Sequence, residues 1–219
     1  MNAIRSFLFA IWLYGWMAIL GIIALPTLLL PRGAILWFIR LYARTVLVGL
    51  RLICGIQVEF RGLEHIPGGP VLIAGKHQAM LDIFLPFLVF DDPVLVMKRE
   101  LLWYPALGWY ALKTRMLAID RSGGARTMKQ MLAAANRRVN DENRQMLIYP
   151  EGTRTLPGAA PDYKPAGIRA FYKSLGVPLV PFATNSGLCW PARGLVRRPG
   201  RVVYEVLPPL PKDMNPKVM

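Results

Sequence analysis

A histidine and a carboxylate lie close together in this chain, and a turn that ends in arginine follows them much later. His77 begins and Asp82 ends the block His-Gln-Ala-Met-Leu-Asp, and Glu-Gly-Thr-Arg occupies residues 151–154. A histidine accepts a proton near neutral pH, and a nearby carboxylate holds its ring in one tautomer. The later block offers a cation beside a glycine that permits close backbone approach, which suits a phosphate or an oxyanion. Together the blocks indicate catalysis on a phosphate-bearing alcohol.

Short apolar runs alternate with helical patterns from residue 57 onward, and this alternation is typical of an α/β fold. We expect residues 57–219 to form a mostly parallel mixed sheet flanked by helices. The predicted strands are Gln57–Phe60, Val71–Ala74, Val94–Met97, Met116–Ile119, Met146–Tyr149, Leu179–Phe182 and Val202–Val206. The predicted helices are Met80–Val89, Leu101–Leu112, Ala125–Asn140 and Ala166–Leu175.

The candidate residues follow the ends of predicted strands, where α/β folds place their active sites. His77 comes after Val71–Ala74, and Arg121 and Arg154 follow two other strands. Positions five apart in a continuous helix do not share a face, so contact with Asp82 requires His77 to precede the helix. The pattern predicts that a base and two arginines meet at one edge of the sheet.

The first 56 residues are predicted to be a hydrophobic two-helix hairpin that anchors the chain to a membrane. Phe7–Leu30 is an apolar run, and it is long enough to cross a bilayer core of about 30 Å. Ala34–Ile56 is a second apolar stretch, and arginines on one helical face indicate an interfacial helix whose basic side meets lipid phosphates. A core helix pair with a solvated arginine face remains an alternative, and the topology of the first helix stays open. The arginines concerned are Arg40, Arg44 and Arg51.

Composition combines an apolar character with a strong positive charge. The chain is 54% hydrophobic and carries 27 Lys+Arg against 13 Asp+Glu, a formal net charge of +14. Nucleic-acid-binding proteins are rarely this apolar, so an anionic membrane surface or acidic partners fit better. Cys54 and Cys189 are far apart and lack metal-ligand spacing, which favours a reducing compartment without disulfides.

Four blocks in order resemble those of the glycerolipid acyltransferases, and most closely the bacterial 1-acyl-sn-glycerol-3-phosphate acyltransferases. A further segment, Lys98–Gly108, resembles the family's stretch between its first two blocks, and the similarity covers about Gln57 to Val206. Two positions depart from it: Lys76 stands where many relatives have asparagine, and Ala79 where many have a small polar residue. The four blocks are His77–Asp82, Leu117–Arg121, Glu151–Arg154 and Val177–Pro181.

The resemblance implies roles for the matching positions. His77 would remove the proton from the acceptor hydroxyl, and Asp82 would orient it, with no nucleophile from the enzyme itself. The substrate alcohol would attack an acyl thioester directly, and Val177–Pro181 would support the site or the acyl donor. The residues implied in binding the acceptor's phosphate and glycerol are Lys98, Arg121, Glu151, Gly152, Thr153 and Arg154.

The expected reaction is transfer of an acyl group from acyl-CoA or acyl-carrier protein to the sn-2 hydroxyl of lysophosphatidic acid, which gives phosphatidic acid. No further cofactor and no metal are expected, and the implied location is the bacterial inner membrane with the catalytic domain facing the cytoplasm. The expected partners are anionic membrane phospholipids, lysophosphatidic acid and the acidic acyl donor, and nucleic acid is not among them.

Two other functions remain open from the residues alone. The acceptor could be another lysolipid, such as a lyso-ornithine lipid or a different lysophospholipid. The chain could also be a non-catalytic basic protein of the membrane surface, although this leaves the His77–Asp82 pair unexplained. A zinc hydrolase is disfavoured by the two histidines and scattered cysteines, and a serine hydrolase by the lack of a Gly-x-Ser-x-Gly elbow.

Overall fold

A seven-stranded sheet follows two apolar helices in the computed structural model, which describes residues 1–119, 125–160 and 162–211. All seven predicted strands are confirmed, with ends that move by no more than two residues. They form because runs rich in Val, Ile and Leu fit a sheet that is covered on both faces. The strands are β1 (Ile56–Arg61), β2 (Val71–Gly75), β3 (Pro93–Lys98), β4 (Leu117–Ile119), β5 (Gln145–Ile148), β6 (Leu179–Thr184) and β7 (Gly200–Val206).

Six α-helices lie in the described part of the chain, and several of them continue into short turns of tighter or wider helix. The helices are α1 (Asn2–Ile23), α2 (Arg32–Gly49), α3 (Pro86–Val89), α4 (Leu107–Lys113), α5 (Ala125–Asn136) and α6 (Pro165–Leu175). The 3₁₀ turns are Leu25–Leu29, Leu63–His65, Met80–Ile83, Arg99–Trp103 and Ser186–Leu188, and the π turns are Leu50–Cys54 and Arg137–Asp141.

The sheet has the order β1-β7-β6-β2-β5-β3-β4, and it is mostly parallel, as predicted. The one antiparallel pairing among the described strands joins β6 to β7. Strand β5 lies between β2 and β3, and all three run in the same direction. The carboxyl ends of these three neighbours therefore meet at a single edge of the sheet.

Two of the predicted helices are wrong as continuous elements, and a proline explains each break. Met80–Val89 divides into the Met80–Ile83 turn and α3, because Pro86 begins α3. Leu101–Leu112 divides into the Arg99–Trp103 turn and α4 around Pro105. Proline has no N–H for the helical ladder, and it disfavours helical backbone at the residue before it.

The core has two layers, one on each face of the sheet. Adjacent residues of a strand point to opposite faces, and accordingly Ile73 packs in one apolar cluster and Leu72 in the other. The Ile73 cluster includes Phe9 of α1 and Val46 of α2, and the Leu72 cluster includes Phe171 of α6. The hairpin therefore covers one face of the sheet, and α5 and α6 lie on the other.

The outer surface of the hairpin is apolar. Both of its helical stretches, Asn2–Ile23 and Arg32–Cys54, are long and apolar enough to cross a membrane by length and composition. Arg44 and Arg51 are exposed, whereas Arg40 donates hydrogen bonds to the backbone carbonyls of Phe87 and Asp91. The prediction that all three arginines face lipid is therefore wrong for Arg40. The exposed apolar side chains of α1 are Ile4, Phe7, Leu8, Ile11, Tyr14, Met17, Ile19, Ile22 and Ile23.

Candidate active site

His77 and Asp82 form a hydrogen-bonded pair at the carboxyl end of β2. His77 precedes the Met80–Ile83 turn, and its Nδ1 lies 3.0 Å from Oδ2 of Asp82. The carboxylate side chain is 1% exposed and the imidazole 16% exposed. Because a neutral imidazole donates from one nitrogen and accepts at the other, engagement of Nδ1–H by the carboxylate leaves Nε2 as the acceptor.

Hydrogen-bond donors surround both oxygens of the Asp82 carboxylate. Oδ2 also accepts from the backbone N–H groups of Gln78 at 2.6 Å and Ala79 at 2.8 Å. Oδ1 accepts from the hydroxyl of Ser186 at 2.6 Å and from the hydroxyl of Tyr204. A buried charge is tolerated when it is hydrogen-bonded in this way. The carboxylate is thus both fixed in position and compensated.

Two buried tyrosines complete the surroundings of the pair. Burial, followed by the negative charge of Asp82, raises the pKa of both Tyr149 and Tyr204 well above its usual value. The ring of Tyr149 stacks on the imidazole of His77 with centroids 4.3 Å apart, and its hydroxyl donates to the backbone carbonyl of Asp82. Both tyrosines therefore remain protonated donors at neutral pH and hold the pair from two sides.

The Glu151 carboxylate ties the turn after β5 to the end of β2. Its side chain is 1% exposed, and it accepts from Nζ of Lys76 at 2.5 Å and from the hydroxyl of Thr155 at 3.0 Å. The backbone N–H of Thr155 donates to the carbonyl of His77 at 2.8 Å. Gly152 has a φ of 66°, a left-handed conformation that glycine adopts without strain. Glu151 thus shapes the turn from inside.

The cation beside the base is neutralised by this arrangement. Lys76, one of the two residues that depart from the family pattern, pairs with Glu151 and also lies 5.3 Å from the ring centroid of Tyr163. The ammonium group of Lys76 is therefore paired with Glu151 rather than with the imidazole of His77.

The remaining predicted binding residues lie at the same edge where the structure describes them. Lys98 is the last residue of β3 and is exposed, and Thr153 and Arg154 are exposed in the turn after β5. Strand β5 pairs with both β2 and β3, so these positions follow neighbouring strand ends. Arg121 lies outside the described residues, and in the sequence it comes two positions after the last residue of β4.

Sequence reasoning missed several residues that hold the site. Ser186 and Tyr204 lie more than a hundred positions from Asp82 and reach it through the β6–β7 pairing. Gln78, inside the first block, accepts from the backbone N–H of Gly187 at 3.1 Å and so fixes the loop after β6. Two polar groups in the sequence could have indicated them, namely a serine just after a buried strand and a tyrosine within one.

The geometry suits removal of a proton from an incoming hydroxyl. Among the residues that the structure describes, no serine, threonine or cysteine side chain is hydrogen-bonded to the imidazole of His77, whose partner is Asp82. Nor does this part of the chain contain a group of three or more His, Cys, Asp or Glu side chains placed to hold a metal ion. In the described residues the arrangement suits a base held by an orienting carboxylate, with no side-chain nucleophile hydrogen-bonded to it.

Comparisons with known proteins agree with this geometry. The Acyltransferase family model matches residues 57–185. The chain is 32% identical over 209 residues to the 1-acyl-sn-glycerol-3-phosphate acyltransferase of Pseudomonas aeruginosa, covering 94% of this chain and 80% of that protein. It is 29% identical over 200 residues to the 1-acyl-sn-glycerol-3-phosphate acyltransferase alpha of Mus musculus, covering 90% and 69% respectively. The crystal structure of the 1-acyl-sn-glycerophosphate acyltransferase PlsC from Thermotoga maritima has the same fold, with a TM-score of 0.75 at 21% identity over 98% of this chain and 90% of that one.

Proposed function

The chain belongs to the acyltransferase family, and we propose that it acylates the sn-2 hydroxyl of lysophosphatidic acid to give phosphatidic acid. The observation that carries the proposal is the His77–Asp82 pair, 3.0 Å apart, with no side-chain nucleophile bonded to the imidazole in the described residues. The relatives that match most of the chain are named for this acceptor. An alcohol of the substrate must then supply the attacking oxygen.

In the proposed reaction, Nε2 of His77 takes the proton of the sn-2 hydroxyl as its oxygen attacks the thioester carbonyl. The C–O bond forms, the tetrahedral intermediate collapses and the C–S bond breaks. The imidazolium returns its proton to the leaving thiolate, so that the base is regenerated. Asp82 favours the transient imidazolium through its negative charge, and its donors keep the carboxylate aimed at Nδ1.

We assign the acceptor's phosphate to the cations at this edge of the sheet. Lys98 and Arg154 are exposed there, and Arg121 follows the adjacent strand β4. The Lys76–Glu151 pair supports this assignment, because a carboxylate already paired at 2.5 Å opposes an incoming phosphate less than a free one. The turn at Gly152 and Thr153 would contact the glycerol.

The hairpin is proposed to lie within one leaflet of the bilayer. Near its start, α1 accepts hydrogen bonds from Arg197 at Ser6, and near its end the hydroxyl of Tyr110 donates to the carbonyl of Gly21. A helix fixed to the globular domain at both ends cannot stand upright across a bilayer while the domain remains in water. The exposed apolar face of α1 would therefore be immersed sideways, as an interfacial helix.

This orientation brings the lipid acceptor to the site and leaves a water-soluble donor free to approach. Acyl-CoA and acyl-carrier protein are both acidic, and a net charge of +14 favours their encounter with the protein. We propose the bacterial inner membrane as the location, with the catalytic domain on the cytoplasmic side where such donors occur. No cofactor beyond the donor is proposed.

An acceptor panel tests the substrate. The purified protein is given acyl-CoA or acyl-carrier protein with lysophosphatidic acid, lysophosphatidylcholine or a lyso-ornithine lipid, and acylated products are quantified. We expect phosphatidic acid to form fastest, because the other two acceptors lack the exposed phosphate monoester. Acylation of either alternative with no transfer to lysophosphatidic acid would reject the proposed acceptor.

A further inference from the structure

Large apolar side chains are exposed on a segment outside the hairpin. We call it the 103–112 surface, and it runs from the end of the Arg99–Trp103 turn along α4. Trp103 is 82% exposed. Concentrations of exposed apolar residues on a monomer mark sites of interaction with proteins or membranes. The members of the surface are Trp103, Tyr104, Leu107, Trp109 and Leu112.

The surface stands on a rigid support. Gly108 and Ala111 are the buried residues of α4, so Trp109 and Leu112 lie on its outer side. A Cβ at Gly108 would come within 1.9 Å of the carbonyl oxygen of Leu102, so glycine allows α4 to pack tightly on the preceding turn. The outer side of α4 therefore carries large apolar side chains, where a surface helix usually carries polar ones.

A strained turn reinforces the support. Ala106 has a φ of 62°, and the N–H of Leu107 donates to the carbonyl of Pro105 at 2.7 Å across it. A non-glycine residue is strained in such a conformation and adopts it where the surroundings impose it. The turn presents Trp103 and Tyr104 on the same segment as α4.

The 103–112 surface lies on the hairpin's side of the molecule. Tyr110 donates through its hydroxyl to the carbonyl of Gly21 in α1, where Ile22 and Ile23 are exposed. The helices on the other face of the sheet differ, because none of the described residues of α5 and α6 is an exposed large hydrophobic. Apolar exposure in this part of the fold is thus continuous with the hairpin and absent from α5.

Cations lie where α4 ends. Arg32, Lys113, Arg115 and Glu142 line a cavity of about 500 Å³. The lining holds three cations and one carboxylate, and Glu142 accepts from two of these cations, Arg32 at 2.8 Å and Arg115 at 2.7 Å. Arg32 also pairs with Asp92 at 2.6 Å. Exposed aromatic side chains next to cations suit the interface of an anionic bilayer, where aromatic side chains lie at the level of the headgroups and cations contact phosphates.

We propose that the 103–112 surface is a second membrane-contact element, which enters the interface of an anionic bilayer while the cavity at its end receives a lipid phosphate. The inference rests on the membrane association put forward under the proposed function. Lys98 directly precedes the Arg99–Trp103 turn, so the element holds the catalytic edge against the bilayer. A lysolipid then reaches His77 without leaving the membrane.

Site-specific fluorescence tests the insertion. Three variants each add one exposed cysteine, Leu107→Cys, Ile11→Cys on α1 and Gln130→Cys on α5, for labelling with an environment-sensitive dye. The native Cys54 and Cys189 are buried. Vesicles contain phosphatidylcholine with phosphatidylglycerol, with or without brominated acyl chains. We expect a blue-shifted, bromine-quenched signal at 107 and 11, and a water-like signal at 130.

The outcomes separate the two proposals. A label at 107 that stays in water while the label at 11 responds overturns the second contact element and leaves the hairpin's membrane association standing. Labels at both positions that stay in water overturn both. Acyl transfer to lysophosphatidic acid, measured separately in detergent micelles, depends on neither result.

A charge-matched pair tests the cationic cavity. Lys113→Gln and Lys129→Gln each remove one positive charge, the first at the cavity and the second on α5, where Lys129 is exposed. Partitioning onto phosphatidylglycerol vesicles is expected to weaken roughly five-fold for Lys113→Gln, the factor that corresponds to about 1 kcal/mol per cation near such a surface. Lys129→Gln should change it less than about two-fold. Equal effects of the two substitutions would overturn the headgroup site.

Discussion

Replacing Asp82 by asparagine removes the charge beside the base and leaves its shape in place. Asparagine has the same size, and its amide oxygen can keep accepting from the backbone N–H groups of Gln78 and Ala79. Its NH₂ group would then face the hydroxyls of Ser186 and Tyr204, which can rotate and accept instead of donate. We therefore expect Asp82→Asn to fold.

The size of the effect follows from the separation of the two groups. Nδ1 of His77 and Oδ2 of Asp82 are 3.0 Å apart. At an effective dielectric constant of about 20, a carboxylate at that distance stabilises an imidazolium by roughly 5–6 kcal/mol. Because about 1.4 kcal/mol corresponds to a factor of ten in rate, loss of that charge predicts a fall of about 10⁴-fold in kcat.

The assay is the initial rate of phosphatidic acid formation at saturating lysophosphatidic acid and acyl donor. KM for lysophosphatidic acid should change little, because the 1% exposed Asp82 side chain acts through His77 and not on the substrate. Circular dichroism and thermal unfolding confirm the fold of the variant. A folded Asp82→Asn enzyme that keeps more than about a tenth of the wild-type rate would refute this reasoning.

Three further predictions concern the groups around the pair and a buried charge. The pKa of Tyr204 in the folded protein is raised above its ordinary 10.0, so the stability that this hydroxyl contributes is present below pH 10 and is lost as the pH rises above that value. In denaturant unfolding, the free energy of unfolding of Tyr204→Phe should therefore fall less steeply at alkaline pH than that of the wild type. Identical slopes would contradict this. Glu151→Gln should lower kcat by about ten-fold or more, since loss of the charge frees Lys76 beside the base; an unchanged kcat would count against it. Arg144→Met should lower the free energy of unfolding by about 1–3 kcal/mol, because it removes the donor to the buried carbonyl of Thr114 and one cation from the half-buried Asp92. The exposed-pair control Arg201→Met should cost under about 1 kcal/mol, and equal losses would be inconsistent with this reasoning.

The strands could be predicted because their signal is local. Runs such as Val71–Gly75 are apolar throughout and end in residues that break the pattern, so their bounds and their burial follow from composition alone. The helices after β2 and β3 could not be predicted as they are. Apolar spacing favoured continuous helices there, but Pro86 and Pro105 divide them. The Asp82 side chain also accepts from the backbone N–H groups of Gln78 and Ala79, just before the first turn begins.

The contact between His77 and Asp82 could be predicted because the two residues are close in sequence. The residues that hold Asp82 could not, because Ser186 and Tyr204 reach it through tertiary pairing of β6 with β7, and no local pattern reports such a contact. The Lys76–Glu151 pair could be predicted only in part. Both residues follow ends of strands that turn out to be neighbours, but the order of strands in the sheet had to be known first.

The proposal that His77 is the general base is tested most directly by comparing the two histidines of the chain. His77→Ala removes the proposed base. His65→Ala removes the other imidazole, whose Nδ1 lies 2.9 Å from the carbonyl oxygen of Val206. Phosphatidic acid formation from lysophosphatidic acid is measured for both purified variants under single-turnover conditions. We expect a loss of about 10²–10⁴-fold for His77→Ala and a near-normal rate for His65→Ala. A folded His77→Ala enzyme that transfers the acyl group at the wild-type rate would contradict it.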